Sequence, residues 1–240
     1  STGDGYEFAA SVGHNIEPVR PSLTPLVTSH PQKEYLNGLL LKNVGAKLYI
    51  DNELVQEEFG ELGFSERGIE GAVALRLSRD AVDAIIDEKR VKIIVDLKPA
   101  LDEATLDKRI LRDFEENINR DFVNSVKGLL PAKMIPVIVE LSGIEPTKKV
   151  NEITKKEREG LVKLLKNLTF DIVGTGGYNE AVVTKGGISV KEISPKTMES
   201  KLVGGLYFAG EIIDVDAYTG GFNLQIAWST AYAAGMAQEW

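Results

Sequence analysis

Between Gly205 and Gly235 the chain reads GLYFAGEIIDVDAYTGGFNLQIAWSTAYAAG. Its chemistry-bearing residues are an acid just past an apolar run, Glu211 after Gly210, and a double glycine, Gly220-Gly221, ahead of a run of small residues. A carboxylate at a strand end can accept hydrogen bonds from sugar or ribityl hydroxyls, and Gly210 lets a ligand approach the backbone. A helix opening at Gly220-Gly221 would present first-turn N–H groups carrying about half a positive charge, which suits a flavin whose N1–C2=O edge becomes anionic on reduction. Ala227, Ser229, Ala231, Ala233, Ala234 and Gly235 keep that helix thin enough to lie close to a sheet and a planar ligand. An ordinary strand–turn–helix unit with a glycine turn accounts for the same residues equally well.

A second double glycine, Gly186-Gly187, stands between extended segments in VVTKGGISVKEISPKTMESK. Either close passage of backbone along a planar ring or a tight hairpin would require it. Asp4, between Gly3 and Gly5, could contact a phosphate or hydroxyl, although capping a helix is the commoner task of that residue type. Gly174-Thr-Gly176-Gly-Tyr-Asn179 follows an apolar strand but is not a dinucleotide fingerprint. Asn179 stands where the third glycine belongs, and EAVVTKGG behind it is too short and too β-branched for a phosphate-binding helix. His14, beside the helix-ending Gly13, is read as structural, because a cation is favourable at the carbonyl end of a helix. His30, in a loop before Pro31, is assigned no role. No residue is assigned a catalytic part.

The elements that must position these residues follow from pattern. STGDGYEFAASVG reads as a helix stopped at Gly13, and Pro18, Pro21 and Pro25 then force extended chain. From Leu39 to Leu97 short β runs follow one another (GLLLKNV, KLYID, ELVQEEFGELGF, GAVALRLS, VKIIVDL), as in a barrel or sandwich. From Asp102 to Leu168 the period becomes helical: Leu106, Ile110 and Phe114; then Phe122, Val126 and Leu129. PAKMIPVIVELSG should begin a helix on Pro131 and close on Gly143, and Thr154 with Glu157 forms a capping box. After this four-helix insert FDIVGTGGYNEAVVTKGGISVKEI returns to β pattern, and LYFAG reads as a buried strand. The order β, helices, β implies a discontinuous domain carrying an insert.

Composition narrows the classes. With 240 residues, 43% of them hydrophobic, the chain can bury a core of one or two domains. A net charge of −8 argues against a dedicated nucleic-acid or anionic-membrane binder. The helical stretch holds 13 basic and 12 acidic residues, the balance of a solvated surface rather than of a nucleic-acid face. The absence of cysteine and the presence of only two histidines leave no thiolate chemistry and argue against a metal centre. No apolar run reaches the ~20 residues of a membrane span and no signal peptide opens the chain, so the expected location is the cytoplasm. Ser1 and the abrupt STGDGY suggest a fragment.

Taken together, STGDGY…GH…PSLTPL, VVTKGGISVKEISPKTMESK and the long C-terminal stretch resemble the BaiN/aminoacetone-oxidase type (YhiN-like) of FAD-dependent flavoproteins, over nearly the whole chain. The resemblance implies a Rossmann-like FAD domain interrupted by a β-barrel that is itself interrupted by a helical domain. In that family the G-x-G-x-x-G half lies upstream of TGDGY, so it would be absent here. The implied fold class is α+β: a β-barrel with an inserted all-helical domain, flanked by partial Rossmann-like FAD-domain segments. Its expected parts are a partial FAD-binding segment over 1–27, the barrel over 28–101 and again over 169–187, the helical insert over 102–168, and a C-terminal FAD-binding segment over 188–240. By resemblance Gly210, Glu211, Gly220, Gly221, Asn223 and Gln225 approach the flavin or its ribityl chain. Gly186 and Gly187 lie near the ring, and Thr2, Gly3 and Asp4 border the same cleft. One departure concerns a barrel motif, F-T-H-x-G-[LI]-S-G-P in many members, which reads FSERGIEGA here: Glu66 replaces the histidine, Glu70 the serine and Ala72 the proline. No role of that histidine carries over; Glu66-Arg67 either lines the substrate side or, the commoner case, forms a surface turn.

The expected function is that of an FAD-dependent oxidoreductase passing hydride between flavin and a small-molecule substrate, with NAD(P)H or oxygen as second partner. Flavin-dependent reduction of a uridine in ribosomal RNA is the alternative, disfavoured by charge. A non-catalytic interaction module is the third class. The 240 residues by themselves are expected to be inactive and to self-associate through an exposed sheet edge.

Overall fold

The structure is a computed structural model that describes residues 2–31 and 33–238. It divides into two compact units: Leu26–Gly174 form one, and the chain up to Pro25 together with that from Thr175 forms the other.

The second unit opens with helix α1 (Asp4–Ser11) and strand β1 (Ile16–Ser22). The first contains strand β2 (Leu26–Thr28), the single-turn helix α2 (Lys33–Leu36), strands β3 (Leu40–Ile50), β4 (Glu53–Phe64) and β5 (Gly68–Glu70), helix α3 (Gly71–Ile86) and strand β6 (Val91–Asp96). Helices α4 (Glu103–Glu115), α5 (Phe122–Ser125), α6 (Met134–Ser142) and α7 (Lys155–Lys166) follow, and strand β7 (Leu168–Thr175) comes after them. Strand β8 (Val183–Ile188) and helix α8 (Phe222–Met236) complete the second unit.

Six strands close a barrel in the order β2-β5-β4-β3-β6-β7. Alternation drives it: along β6, Val91, Ile93 and Val95 are buried between half-exposed neighbours, and along β7 Leu168, Phe170 and Ile172 are buried between exposed ones. The β3–β4 hairpin turns on Asp51-Asn52, both at positive φ, the conformation that matches the twist of the flanking strands. GAVALRLS, expected as a strand, is instead the start of α3. Val73, Leu75 and Leu77 satisfy a period of two, but Val73, Ala74, Leu77, Ala81 and Ala84 form the buried face of a helix in the barrel core. The FSERGIEGA segment does turn at the surface: Ser65 N–H donates to the Gly68 carbonyl and Glu66 is exposed, 3.4 Å from Asn37 Nδ2.

All four helices of the insert form, each around the residues its period named, with two corrections. The Phe122–Leu129 run is one α turn followed by a 3-10 turn over Val126–Gly128, because Pro131 removes a backbone donor and disfavours helix in the residue before it. Helix α6 begins at Met134 rather than Pro131 and ends on Gly143 in the left-handed region. Asp102 caps α4 through the Thr105 N–H at 2.7 Å, and Arg158 on α7 forks onto Asp107 on α4 at 2.6 and 3.1 Å. Lys166 Nζ ties the end of α7 to the barrel through Asp96 and the carbonyls of Lys98 and Leu101.

The capping box is present in both directions, and Lys148 Nζ sits 2.7 Å from Glu157 Oε1. Lys148 first, and the Thr154 N–H and hydroxyl next, hold the Glu157 carboxyl down at about 2. A carboxylate with a lowered folded pKa contributes stability above its ordinary titration range, and that contribution is lost as pH falls through the folded value. Glu157→Gln should therefore destabilise the barrel-and-helical unit by about 1 kcal/mol near neutral pH. The gap between the two proteins should close as pH drops toward 2. Urea denaturation at both pH values checks this, and a gap that is independent of pH would contradict it.

Candidate functional site

The residues singled out in the sequence gather in the second unit, where β8 pairs antiparallel with β1. The expected barrel return over 169–187 thus divides: β7 joins the barrel and β8 does not. The stretch LYFAG is not a buried strand. Tyr207 makes a single bridge to Glu199, Phe208 N–H donates to the Met198 carbonyl, and only Phe208 of the five is buried.

A cavity of about 550 Å³ is lined by Thr2, Gly3, Gly5 and Tyr6 from the start of α1, Val19 from β1, Tyr178, Thr184 from β8, and Glu211 and Ile212. Glu211 sits on a 3-10 turn, Gly210–Ile212, tied to α8 by the Gly210 N–H donating to Thr230 Oγ1 at 2.9 Å. Glu211 Oε1 accepts from the Thr184 N–H at 2.6 Å and the Thr184 hydroxyl at 2.8 Å. This fixes the carboxylate on the cavity wall. A Cβ at Gly5 would lie 2.6 Å from Ile212 Cδ1, the end of a flexible side chain that can turn aside. Tyr178 donates its hydroxyl to the Val19 carbonyl at 2.6 Å, so the loop with the false fingerprint contributes a wall through its tyrosine.

Three of the residues singled out, Thr2, Gly3 and Glu211, line this cavity, and the others do not. Asp4 is the first residue of α1; the cap is Gly3, in the left-handed region, so Asp4 supplies first-turn charge rather than a side-chain cap. Gly186 and Gly187 face protein. A Cβ at Gly186 would lie 2.1 Å from the Pro18 carbonyl oxygen, and one at Gly187 2.4 Å from that of Ile212. The Gly186 N–H donates to Asp214, whose carboxyl is pushed up by burial and by the charges of Glu17 and Asp216. Gly221, in the left-handed region, caps α8 with no side-chain hydrogen bond. Asn223 closes the loop before that helix, accepting from the Ala217 N–H and donating to its carbonyl. Gln225 donates to Ser229 on the exposed surface. Within its unit α8 is thinly covered: Phe222, Trp228 and Tyr232 are exposed, and only Ala234 is buried among the described residues.

Tyr6, Val19, Tyr178, Thr184 and Ile212 were not legible as site residues. Gly5 carried a signal, as a second glycine in one helical turn. His14 is structural, though not through a helix end: its Nε2 lies 2.8 Å from Ser200 Oγ, its Nδ1 3.1 Å from Glu192 Oε2, and its ring meets Phe208 edge-on at 4.9 Å. The serine–histidine–acid order resembles a nucleophilic triad. However, His14 and Ser200 are both buried, and the serine oxygen already accepts from the Leu202 and Val203 N–H groups. The arrangement is a staple. His30 is buried against Phe170, and burial pushes its pKa down.

No helix among the described residues is long and apolar enough to cross a membrane. Residues 20–183 match the family model described as HI0933-like protein barrel and H2TH domain. The chain is 32% identical, over 99% of its length, to the 3-dehydro-bile acid delta(4,6)-reductase of Clostridium scindens, of which it covers 58%. It is also 32% identical, over 98% of its length, to the ribosomal RNA dihydrouridine synthase of Haemophilus influenzae, and 31% over 95% to that of Escherichia coli, covering 56% and 54% of those proteins. It thus spans little more than half the length of the curated relatives it matches. With the family match covering most of the chain and relatives aligned along nearly all of it, the chain belongs to the HI0933-like family, the group to which its BaiN-type (YhiN-like) motifs pointed.

Proposed function

We propose that this chain is the barrel, helical insert and flavin-side cradle of an FAD-dependent oxidoreductase, with NAD(P)H as its expected reductant. The observation that carries the reading is the cavity beside α1, where Glu211 is pinned by Thr184 through one oxygen. The other carboxylate oxygen can accept from a ribityl hydroxyl. Gly3 leaves the start of α1 open, since a Cβ there would come no closer than 3.8 Å to Tyr6, and the N-terminus of α8 has no side-chain cap. These features fit a polyhydroxylated, partly anionic cofactor. When bound, a flavin supplies hydride chemistry through its ring; the chain's own residues hold it, orient it and exclude water.

The relatives' names favour two substrate classes, a steroid acid and a uridine in ribosomal RNA. The charge of −8 weighs against the second, because an RNA-binding surface gains most of its affinity from phosphate neutralisation.

The test is flavin retention by the intact protein. Glu211→Ala should weaken it by about 1.5–3 kcal/mol, the worth of a charge-assisted hydrogen bond. Glu211→Gln, which can still accept from Thr184, should fall between that variant and the unaltered protein. Flavin occupancy unchanged by Glu211→Ala after exhaustive dialysis would show that the carboxylate does not face the cofactor.

A further inference from the structure

Asn37 is the one asparagine of the chain followed by glycine, and the pair stands between the end of α2 and the start of β3. An asparagine loses its side-chain amide when the peptide nitrogen of the next residue attacks its Cγ. Glycine in the second place leaves that nitrogen unshielded, because it has no side chain. The residue types permit the reaction, and the fold sets how often it can occur.

The peptide group that links Asn37 to Gly38 is held at both of its polar atoms. The Gly38 N–H donates to the carbonyl of Phe64, a buried residue at the end of β4, at 2.8 Å. Lys133, just ahead of α6, donates from Nζ to the Asn37 carbonyl at 2.5 Å. The Phe64 N–H returns a bond to the Leu39 carbonyl at 2.9 Å, and the Leu39 N–H donates to the Leu36 carbonyl at 2.8 Å. Residues 36–39 therefore form a strap across the end of β4. Before it can attack, the Gly38 nitrogen must lose its proton. An N–H bound to a carbonyl loses it only when that bond opens, which is the step that also limits hydrogen exchange.

We propose that Asn37 is a deamidation site gated by this strap. When the strap opens, the deprotonated Gly38 nitrogen forms a bond to Asn37 Cγ. The bond from Cγ to the side-chain nitrogen breaks, and that nitrogen takes a proton from water and leaves as ammonia. Water then opens the cyclic imide at either carbonyl, giving aspartate or isoaspartate, and nothing is oxidised or reduced. The product fits the strap less well. Asn37 Nδ2 now donates to Glu66 Oε1 at 3.4 Å, whereas the product sets a carboxylate facing Glu66. Isoaspartate also inserts a methylene group into the main chain between the held atoms. One event thus favours the open strap. Every residue involved belongs to the barrel-and-helical unit, and the site does not depend on the flavin reading.

Peptide mapping of the full chain tests this. Trypsin releases residues 34–42, bounded by Lys33 and Lys42, with Asn37 as their only asparagine. In urea, the mass gain of an amide-to-acid exchange should appear in this peptide before any other asparagine reacts. Gly38→Ala should slow it there at least about tenfold, since a side chain then shields the nitrogen. The folded chain should react at least about tenfold more slowly than the chain in urea, the protection of an amide that must open first. Lys133→Met, a change at an exposed position, should speed the reaction of the folded chain at least about threefold and leave the rate in urea unchanged. In the reacted protein the Phe64 amide should exchange faster with solvent. Another asparagine reacting first in urea, equal rates in the folded and denatured chain, a folded Lys133→Met protein with an unaltered rate, or Phe64 exchange unchanged by the reaction would each overturn the proposal.

Discussion

Gly186→Ala should unfold the β1–β8 unit while leaving the barrel and its helices standing. In the β1–β8 pair Glu17 faces Gly187 and Arg20 faces Lys185, so Pro18 and Val19 together oppose Gly186. This is a bulge, two residues against one, and Pro18 can occupy it because it donates nothing to the ladder. A Cβ at Gly186 would meet the Pro18 carbonyl oxygen at 2.1 Å and its carbon at 2.7 Å, and φ is +84°. These are backbone atoms, which cannot swing aside as a side chain would. Left-handed strain alone costs about 1–2 kcal/mol, and with the displaced strand the loss should exceed about 4 kcal/mol. Gly205→Ala is the control: φ is +78° there too, but nothing lies within 4 Å, so the cost should stay near 1 kcal/mol. Hydrogen exchange reads the difference. Amides of 183–188 should lose protection in Gly186→Ala while those of 91–96 and 168–172 keep it. Full protection in β8 would show that the close approach relaxes at little cost.

His14→Ala should be the next most damaging change in the same unit. It empties a buried ring site against Phe208 and removes one of three partners of Ser200 Oγ and one partner of Glu192. Glu192 is left with Asn15, whose backbone N–H donates at 2.9 Å and is the largest cause holding that carboxyl below its usual range. Loss of packing and of a buried hydrogen-bond partner together predicts about 2–4 kcal/mol. His14→Phe restores the ring without the nitrogens and should recover roughly half of that. Ser200→Ala should cost less than His14→Ala, since the packing survives. Denaturant unfolding orders the three variants; equal stability of His14→Ala and the unaltered protein would mean that the staple contributes nothing.

Most of what was legible in the sequence acts over a few residues. The β pattern of VKIIVD and FDIV marked two barrel strands, because a pleated strand shows successive side chains to opposite faces, whereas Leu168, grouped with the helical leucines before it, opens the second of them. Leu106, Ile110 and Phe114, with Asp102 ahead of them, fixed α4, and Thr154 with Glu157 fixed the start of α7, because helix period and capping are local. The motifs STGDGY, VVTKGGISVKEISPKTMESK and the long C-terminal stretch carried the resemblance to the family. Tertiary structure decided where one local pattern served two ends. Residues 73–77 fit a strand and a helix alike, and burial of Ala81 and Ala84 on the same face selected the helix. The two glycines at 186 and 187 fit a ligand and a crowded backbone alike, and the carbonyls of Pro18 and Ile212 filled the space. His14 gave no hint of Glu192 and Ser200, which lie 178 and 186 residues away. A local pattern shows which conformation a segment prefers and which face is apolar, whereas the neighbour that a side chain meets depends on how distant segments are brought together, and only the folded chain sets that.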